Sequence, residues 1–232
     1  MAYPVRIHLP DLIYHILNRG NNRQVVFIED KDYLRYLEIL KRYKEKFQFK
    51  IFAYCLMTNH IHLILQISDK ATISKIMQSI TIAHTRYYHY TYHSSGHVWQ
   101  GRFRSPLVSS DEYLLAAMRY VEQNPLRAGI VDDLKDYPYS SFIANTTQGQ
   151  DDLVDKEANP AYLALGRTEE ERNMSYLQIV SSSLEEDNLT EIRRILKGND
   201  NYISDTFQQQ INEKLALKKK RRVGRPSKII NA

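Results

Sequence analysis

The chain has 232 residues, 43% of them hydrophobic, with a single cysteine and a formal net charge of +5. This is enough for a buried core in one domain plus an appendage, and one thiol excludes a scaffold built on disulfides within the chain. The sequence has no signal-peptide pattern and no apolar run of membrane-spanning length, so we expect a soluble, cytoplasmic protein.

The apolar pattern of the first half predicts alternating strands and helices. In chain order these are a strand at 12–18, a polar loop at 19–23, a helix at 33–47, strands at 49–57 and 60–67, and a helix at 71–92. Asp30 and Asp32 are N-cap candidates for the first helix. A loop at 93–101 leads to a fourth strand at 104–108. Ser110 or Asp111 then caps a helix that Pro125 limits.

The order strand, helix, strand, strand, helix, strand predicts the fold class. It is typical of an α+β, ferredoxin-like (βαββαβ) fold, in which an antiparallel sheet carries helices on one face. We place this domain at 1–145 and a C-terminal helical extension at 146–217, with helices near 168–181, 187–197 and 202–217. Residues 218–232 are a basic tail that we expect to be disordered and to bind DNA.

The charge is unevenly distributed along the chain. Residues 1–150 carry 18 Lys and Arg against 13 Asp and Glu, residues 151–217 carry 7 against 14, and residues 218–228 carry 7 against none. Two basic regions favour a polyanionic partner, most simply nucleic acid. There are two alternatives. The net positive charge of residues 1–150 can belong to an ordinary soluble surface, and the tail can be a nonspecific polycation.

Two histidines, His60 and His62, alternate on the predicted third strand. Residues i and i+2 of a strand point to the same face, so both imidazoles can bind one cation. Two imidazoles leave coordination positions open, which suits a catalytic ion. Strand histidines without a metal are the alternative, but spare imidazoles on an apolar strand such as Leu63–Leu65 are costly to bury.

Tyr120 and Asn124 lie one helical turn apart, directly before Pro125. On a helix they share a face, so a phenol that can attack lies beside an amide oxygen that can bind Mg²⁺ or Mn²⁺. With 17 tyrosines in the chain, packing is the alternative for Tyr120, and a helix C-cap is the alternative for Asn124. Together with the histidine pair, these residues predict metal-dependent DNA cleavage through a covalent tyrosine intermediate.

Three segments supply candidate DNA contacts: the loop after the first strand, the aromatic and basic stretch near Trp99, and the tail. Amides and arginines contact phosphates and bases, aromatic rings stack on unpaired bases, and extended basic segments can enter a minor groove. An ordinary turn, ring packing and a solubility tail are the respective alternatives. The candidates are Arg19, Asn21, Arg23, Trp99, Arg102, Arg104, Lys218, Lys219, Lys220, Arg221, Arg222 and Arg225.

Four ordered segments resemble the single-tyrosine HUH (IS200-like) transposases, specifically the REP-associated tyrosine transposases of bacteria. They are Tyr14-His15-Ile16-Leu17-Asn18-Arg19-Gly20-Asn21-Asn22-Arg23-Gln24, Ala53-Tyr54-Cys55-Leu56-Met57-Thr58-Asn59-His60-Ile61-His62-Leu63, Gln100-Gly101-Arg102-Phe103 and Arg119-Tyr120-Val121-Glu122-Gln123-Asn124-Pro125-Leu126-Arg127-Ala128-Gly129. One departure is Val223, which stands where an AT-hook core would have arginine.

The resemblance implies specific roles. His60 and His62 would be the metal-binding pair, Tyr120 the nucleophile and Asn124 the third ligand of Mg²⁺ or Mn²⁺. It implies cleavage and rejoining of single-stranded DNA at palindromic hairpins through a 5′-phosphotyrosine, by a monomer or homodimer associated with the bacterial nucleoid. A hairpin-binding regulator that does not cleave is the alternative, and a replication-type nickase is disfavoured because no helicase domain fits.

Overall fold

The computed structural model describes residues 9–148, 151–184, 186–197, 209 and 211–213. Its strands are β1 (Ile13–Arg19), β2 (Lys50–Met57) and β3 (His60–Gln66). Its helices are α1 (Asp30–Phe47), α2 (Ile73–Tyr92), α3 (Asp111–Glu122), α4 (Asn124–Arg127), α5 (Phe142–Thr146), α6 (Pro160–Leu163), α7 (Glu169–Ser181) and α8 (Glu186–Lys197). All of them belong to a compact unit, Met1–Tyr202, which is distinct from a second unit, Ile203–Ala232. The predicted domain boundary after residue 145 stays a prediction.

The three strands form an antiparallel sheet in the order β1-β3-β2. The register places Arg19 of β1 opposite His60 and Leu17 opposite His62. On the other side of β3, Cys55 of β2 lies opposite His62. The histidine strand is therefore the central strand of the sheet.

The predicted fourth strand is present only as isolated bridges along β1. The backbone N–H of Leu17 donates to Arg104 O at 3.1 Å, that of Arg104 returns to Leu17 O at 2.8 Å, and that of His15 donates to Pro106 O at 3.0 Å. Pro106 has no N–H to donate, so the ladder is interrupted there. The segment still lies where the fourth strand of a ferredoxin-like sheet belongs, and the α+β fold class is confirmed.

The outer edge of β2 is also paired. The backbone N–H of Leu56 donates to Tyr139 O at 2.9 Å, and that of Ser141 donates to Tyr54 O at 3.0 Å. A bridge between Cys55 and Ser140 lies at the centre of this contact. A loop segment thus runs along each outer strand of the sheet.

The two faces of the sheet are covered by different helices. Alternation along β3 turns His60, His62 and Ile64 to one face and Ile61, Leu63 and Leu65 to the other. α3 packs on the histidine face against β2 and β3. The crossover helices α1 and α2 contact each other, and their buried stripes supply the layer on the other face. The prediction of helices on one face therefore describes α1 and α2 but omits α3.

The helical extension packs on α3. Tyr162, Tyr176, Val180 and Ile192 join Ala117 and other α3 residues in one hydrophobic core. Helices α7 and α8 correspond to the predicted segments near 168–181 and 187–197. The predicted helix at 202–217 lies outside the described residues apart from 209 and 211–213, which are helical.

Helix α1 begins at Asp30, three residues before the predicted start. The Asp32 carboxylate accepts hydrogen bonds from the backbone N–H of Ile28 at 2.7 Å and of Glu29 at 2.9 Å. The Asp32 side chain thereby caps the first turn of α1. Within the described part of the chain, no helix is both long and apolar enough to cross a membrane.

Candidate active site

Three histidines converge on the α3 face of the sheet. The ring centroids of His60 and His62 lie 5.2 Å apart, and His62 Nδ1 lies 3.0 Å from Nε2 of His15, a β1 residue. His15 and Leu17 point to the same face of β1, and Leu17 is opposite His62. His15 is therefore a neighbour of His62 across the strands, and the sequence analysis did not predict it as a site residue.

The hydrogen bonds of the histidine pair leave one nitrogen of each ring available. His60 Nδ1 lies 2.7 Å from Asn59 Oδ1, an oxygen that can only accept, so His60 donates from Nδ1. His62 Nδ1 faces His15 Nε2. Metal-binding histidines commonly use their second nitrogen in this way, with the other nitrogen holding the ring orientation.

Burial keeps all three imidazoles neutral near pH 7. It lowers the pKa of His15 to about 3 and, with the Arg19 charge, that of His60 to about 4. Burial, together with the neighbouring His15, His60, Arg127 and Arg19, places the His62 pKa well below its usual value. Neutral imidazoles keep the lone pairs that metal coordination requires.

Tyr120 projects from α3 onto this cluster. Its ring centroid lies 5.6 Å from that of His62 and 6.0 Å from that of His15, and only 9% of the residue is exposed. The structure therefore brings together the histidines and the phenol that the sequence analysis singled out.

Arg127 adds a positive charge that the sequence analysis did not assign to the site. Its guanidinium carbon lies 4.3 Å from the centroid of the Tyr120 ring, and it donates to the Tyr120 carbonyl. Burial lowers the Arg127 pKa to about 10, so the group remains a cation near neutral pH. A cation over an aromatic face is attracted to the ring, so this contact helps to hold the Tyr120 ring in place.

Asn124 lies at the start of α4, directly after Gln123, which is the C-cap residue of α3. Its Nδ2 donates to the carbonyls of Tyr120 at 3.1 Å and Val121 at 3.3 Å. Its Oδ1 accepts no hydrogen bond within the described ranges and remains available as a ligand. In the same ranges, no group of three or more His, Cys, Asp and Glu could hold a metal ion, so a complete ligand set needs other oxygens.

Buried polar contacts fix α3 against the extension. The Glu122 carboxylate is fully buried and accepts hydrogen bonds from Ser141 at 2.5 Å, Asn145 at 2.8 Å and Tyr176 at 2.8 Å. Gln123 donates to the carbonyl of Val180 at 2.7 Å. Four partners, two in or next to α5 and two in α7, therefore hold the end of the helix that carries Tyr120.

The candidate DNA-contacting residues fall in several places. Arg19 ends β1 opposite His60, and the exposed Asn21 and Arg23 follow in the next turn. Trp99 is 7% exposed and bridges to Gly20.

The remaining basic candidates lie in three places. One lines a groove, one contacts helix α8, and the others are in the tail. Arg102 is exposed in a groove beside α2, and the guanidinium of Arg104 donates to the Leu196 carbonyl of α8. The tail candidates from Lys218 to Arg225 lie outside the described residues.

Comparison with known proteins gives a family match. The family model "Transposase IS200 like" matches residues 8–124 of this chain. A protein of Haemophilus influenzae assigned as a REP-associated tyrosine transposase is 31% identical over 109 residues. This alignment covers 42% of the chain and spans 61% of the length of that relative.

Solved structures provide a likeness in fold. A REP-associated tyrosine transposase bound to a REP hairpin superposes with a TM-score of 0.54 at 18% identity, covering 62% of this chain and 85% of that one. A protein of Deinococcus radiodurans assigned as a transposase gives a TM-score of 0.37 at 17% identity, covering 59% and 98%, which does not establish a common fold.

Proposed function

Since this chain belongs to the IS200-like transposase family, we propose that it cleaves and rejoins single-stranded DNA through a covalent 5′-phosphotyrosine intermediate. The similar proteins are associated with REP sequences, and one of them is bound to a REP hairpin. The proposed substrate is accordingly a single strand that carries a palindromic-repeat hairpin. Such a substrate implies a cytoplasmic, nucleoid-associated protein.

One observation carries the proposal: the Tyr120 ring lies beside His62 and beneath the Arg127 guanidinium. Attack by the phenolic oxygen on a backbone phosphorus forms the tyrosine–phosphate bond and releases a 3′-hydroxyl. A hydroxyl attacking in the reverse direction rejoins the strand and frees the tyrosine. The Arg127 guanidinium, which lies against the Tyr120 ring, adds a positive charge beside the phosphate that is attacked.

The donor set fits a divalent cation. His60 and His62 each offer one neutral nitrogen, and Asn124 Oδ1 offers an oxygen, so these three would hold Mg²⁺ or Mn²⁺. When bound, the ion would supply Lewis-acid stabilisation of the phosphate. His15 would orient the His62 ring by its contact with Nδ1.

Covalent trapping tests the proposal. The native protein, mixed with Mn²⁺ and labelled hairpin strands taken from palindromic repeats flanking its gene, should give an adduct that survives denaturing electrophoresis. Tyr120→Phe removes the nucleophilic oxygen and should abolish the adduct. Tyr90→Phe is the matched control, because Tyr90 is 85% exposed, and it should leave the adduct at the native level.

Two results would contradict this mechanism. An adduct that persists in Tyr120→Phe would assign the nucleophile elsewhere. Hairpin binding without an adduct in the native protein, with either metal, would favour the regulator that binds without cleaving.

A further inference from the structure

A groove of about 730 Å³ lies between helix α2 and the segment 96–103. One wall is formed by the outer side of α2 and the other by the loop that precedes the interrupted fourth strand. Asn18 of β1 lies at its base, and Phe103 contributes an aromatic ring to the lining. None of these walls belongs to the site around Tyr120.

Two buried polar groups in this groove lack partners. Asn18 is 2% exposed and Trp99 is 7% exposed, yet neither Asn18 Oδ1 nor Trp99 Nε1 has a hydrogen-bond partner in the described part of the chain. Buried polar groups are almost always paired, because leaving them unpaired destabilises the fold. One acceptor and one donor, on two residues that line the groove, are therefore buried without partners.

The lining is also positively charged. Its described residues include Lys75, Arg86 and Arg102, and no Asp or Glu. The exposed Lys75 and Arg86 lie on the α2 wall. A ligand that combines a negative charge with a planar edge carrying both donors and acceptors fits this chemistry, and a nucleotide has both features.

The groove and the Tyr120 site share one end of β1 but lie on opposite faces of the sheet. Asn18 and Arg19 are consecutive, so their side chains point in opposite directions, and their Cα atoms are about 3.8 Å apart. Arg19 lies opposite His60. Residues 98–104 run along the edge of β1 between the two faces, so a strand crossing this edge can reach both sites.

We propose that this groove binds one unpaired nucleotide of the DNA strand, with its base against Asn18 and Trp99 and its phosphate against the cations of α2. The inference rests on the proposed function and adds a second contact point beyond the cleaved phosphate. A paired base would have its hydrogen-bonding edge occupied, so the groove selects single strands.

Intrinsic fluorescence gives a direct readout, because Trp99 is the single tryptophan of the chain. Full-length Tyr120→Phe protein, which cannot cleave, is titrated with single strands of about 12 nucleotides of dA, dC or dT, and with an abasic strand of equal length. Base-bearing strands should change Trp99 emission and bind about tenfold more tightly than the abasic strand, the value of one good hydrogen-bond contact. Equal affinity for abasic and base-bearing strands would overturn the proposal.

Asn18→Leu separates binding from folding. Leucine has a similar branched shape and removes the unpaired amide, so the melting temperature should stay equal or rise while affinity for base-bearing strands falls about tenfold. A structural role for Asn18 would instead lower the melting temperature and leave affinity unchanged. Should Asn18→Leu fail to fold, Trp99→Phe removes the indole N–H while keeping an aromatic ring, and binding is then read from the anisotropy of labelled strands.

Charge variants provide the matched control. Lys75→Ala should weaken binding of base-bearing and abasic strands alike, because it removes a phosphate contact. Lys50→Ala removes an exposed cation at the start of β2, the strand farthest from the groove, and should have no effect.

The adduct assay keeps the two proposals distinguishable. If the native protein forms the covalent adduct while Asn18→Leu binds base-bearing strands as well as the native protein does, the groove proposal fails and the proposed function stands. If no adduct forms in any protein while Asn18→Leu weakens binding, the groove proposal stands and the cleavage mechanism fails.

Discussion

At the scale of single residues, His15 determines which nitrogen of His62 can bind a metal. His62 can offer its Nε2 lone pair only when its proton is on Nδ1, which then donates to His15 Nε2. His15 must in that case carry its own proton on Nδ1, a buried atom without a partner among the described residues. The tautomers of His15 and His62 are therefore coupled.

Replacing His15 should weaken metal binding without removing a ligand. We expect His15→Leu to lower Mn²⁺ affinity by about 10- to 100-fold, the usual effect of losing a partner that orients a ligand. His15→Gln should lose less, because its amide can accept at the position of Nε2. Titration of Mn²⁺ into the protein without DNA measures this, and Leu and Gln variants that both bind like the native protein would refute the orienting role.

The sequence predicted part of this residue constellation. Alternation placed His60 and His62 on one face, and helical spacing placed Tyr120 and Asn124 on one side of a single helix, although Asn124 begins α4. His15 was not predicted because its contact with His62 depends on the register between β1 and β3, which no local pattern contains. Arg127 was not predicted because Pro125 was expected to limit the helix, whereas α4 continues through Arg127.

At the scale of secondary-structure elements, Glu122 couples the tyrosine helix to the extension. Burial raises its pKa to about 7 despite the hydrogen bonds from Ser141, Asn145 and Tyr176, which lower it. Because the folded pKa lies above the unfolded value near 4.5, the folded protein binds more protons between these values. This contribution to stability is complete below about pH 4.5 and is lost as the pH rises through about 7.

Glu122→Gln should remove that pH dependence. The variant keeps the shape and a carbonyl acceptor but has no proton to release. Relative to the native protein, it should gain about 3 kcal/mol in unfolding free energy between about pH 4.5 and about pH 8. Urea unfolding across this range measures the difference, with the exposed Glu45→Gln as a control that should show no such trend. A pH-independent difference for Glu122→Gln would contradict the assignment.

The elements themselves were largely predictable. Strong alternation or helical periodicity located β1 to β3, α1 to α3, α7 and α8 close to their observed bounds. The predicted fourth strand was only partly right, since Pro106 cannot complete the ladder that β-favouring neighbours suggest. The specific contacts of α7 and α8 with α3 depend on side-chain shapes that a linear pattern does not encode.

At the scale of the whole molecule, one chain holds the histidine pair and the tyrosine together. Tyr120 reaches His62 within the compact unit Met1–Tyr202. This arrangement does not require a tyrosine supplied by a second subunit. Residues 151–202 of the acidic segment belong to the same compact unit as residues 1–150.

Mixing two inactive variants tests this arrangement. Tyr120→Phe lacks the nucleophile and His62→Ala lacks a ligand, so neither should form the covalent adduct. Because each site is built from one chain, an equimolar mixture should remain inactive. Electrophoresis of the mixture measures the adduct, and restored activity would mean that the tyrosine is exchanged between subunits.

Loop segments run along both outer strands of the sheet, residues 98–108 beside β1 and Tyr139–Ser141 beside β2. An exposed sheet edge can pair with a strand of another molecule and so start fibril formation. Within the described part of this protein, a flanking segment pairs with each outer strand of the sheet. Growth of the sheet from molecule to molecule would first require detaching one of these flanking segments, which gives the fold an intrinsic resistance to amyloid-like assembly.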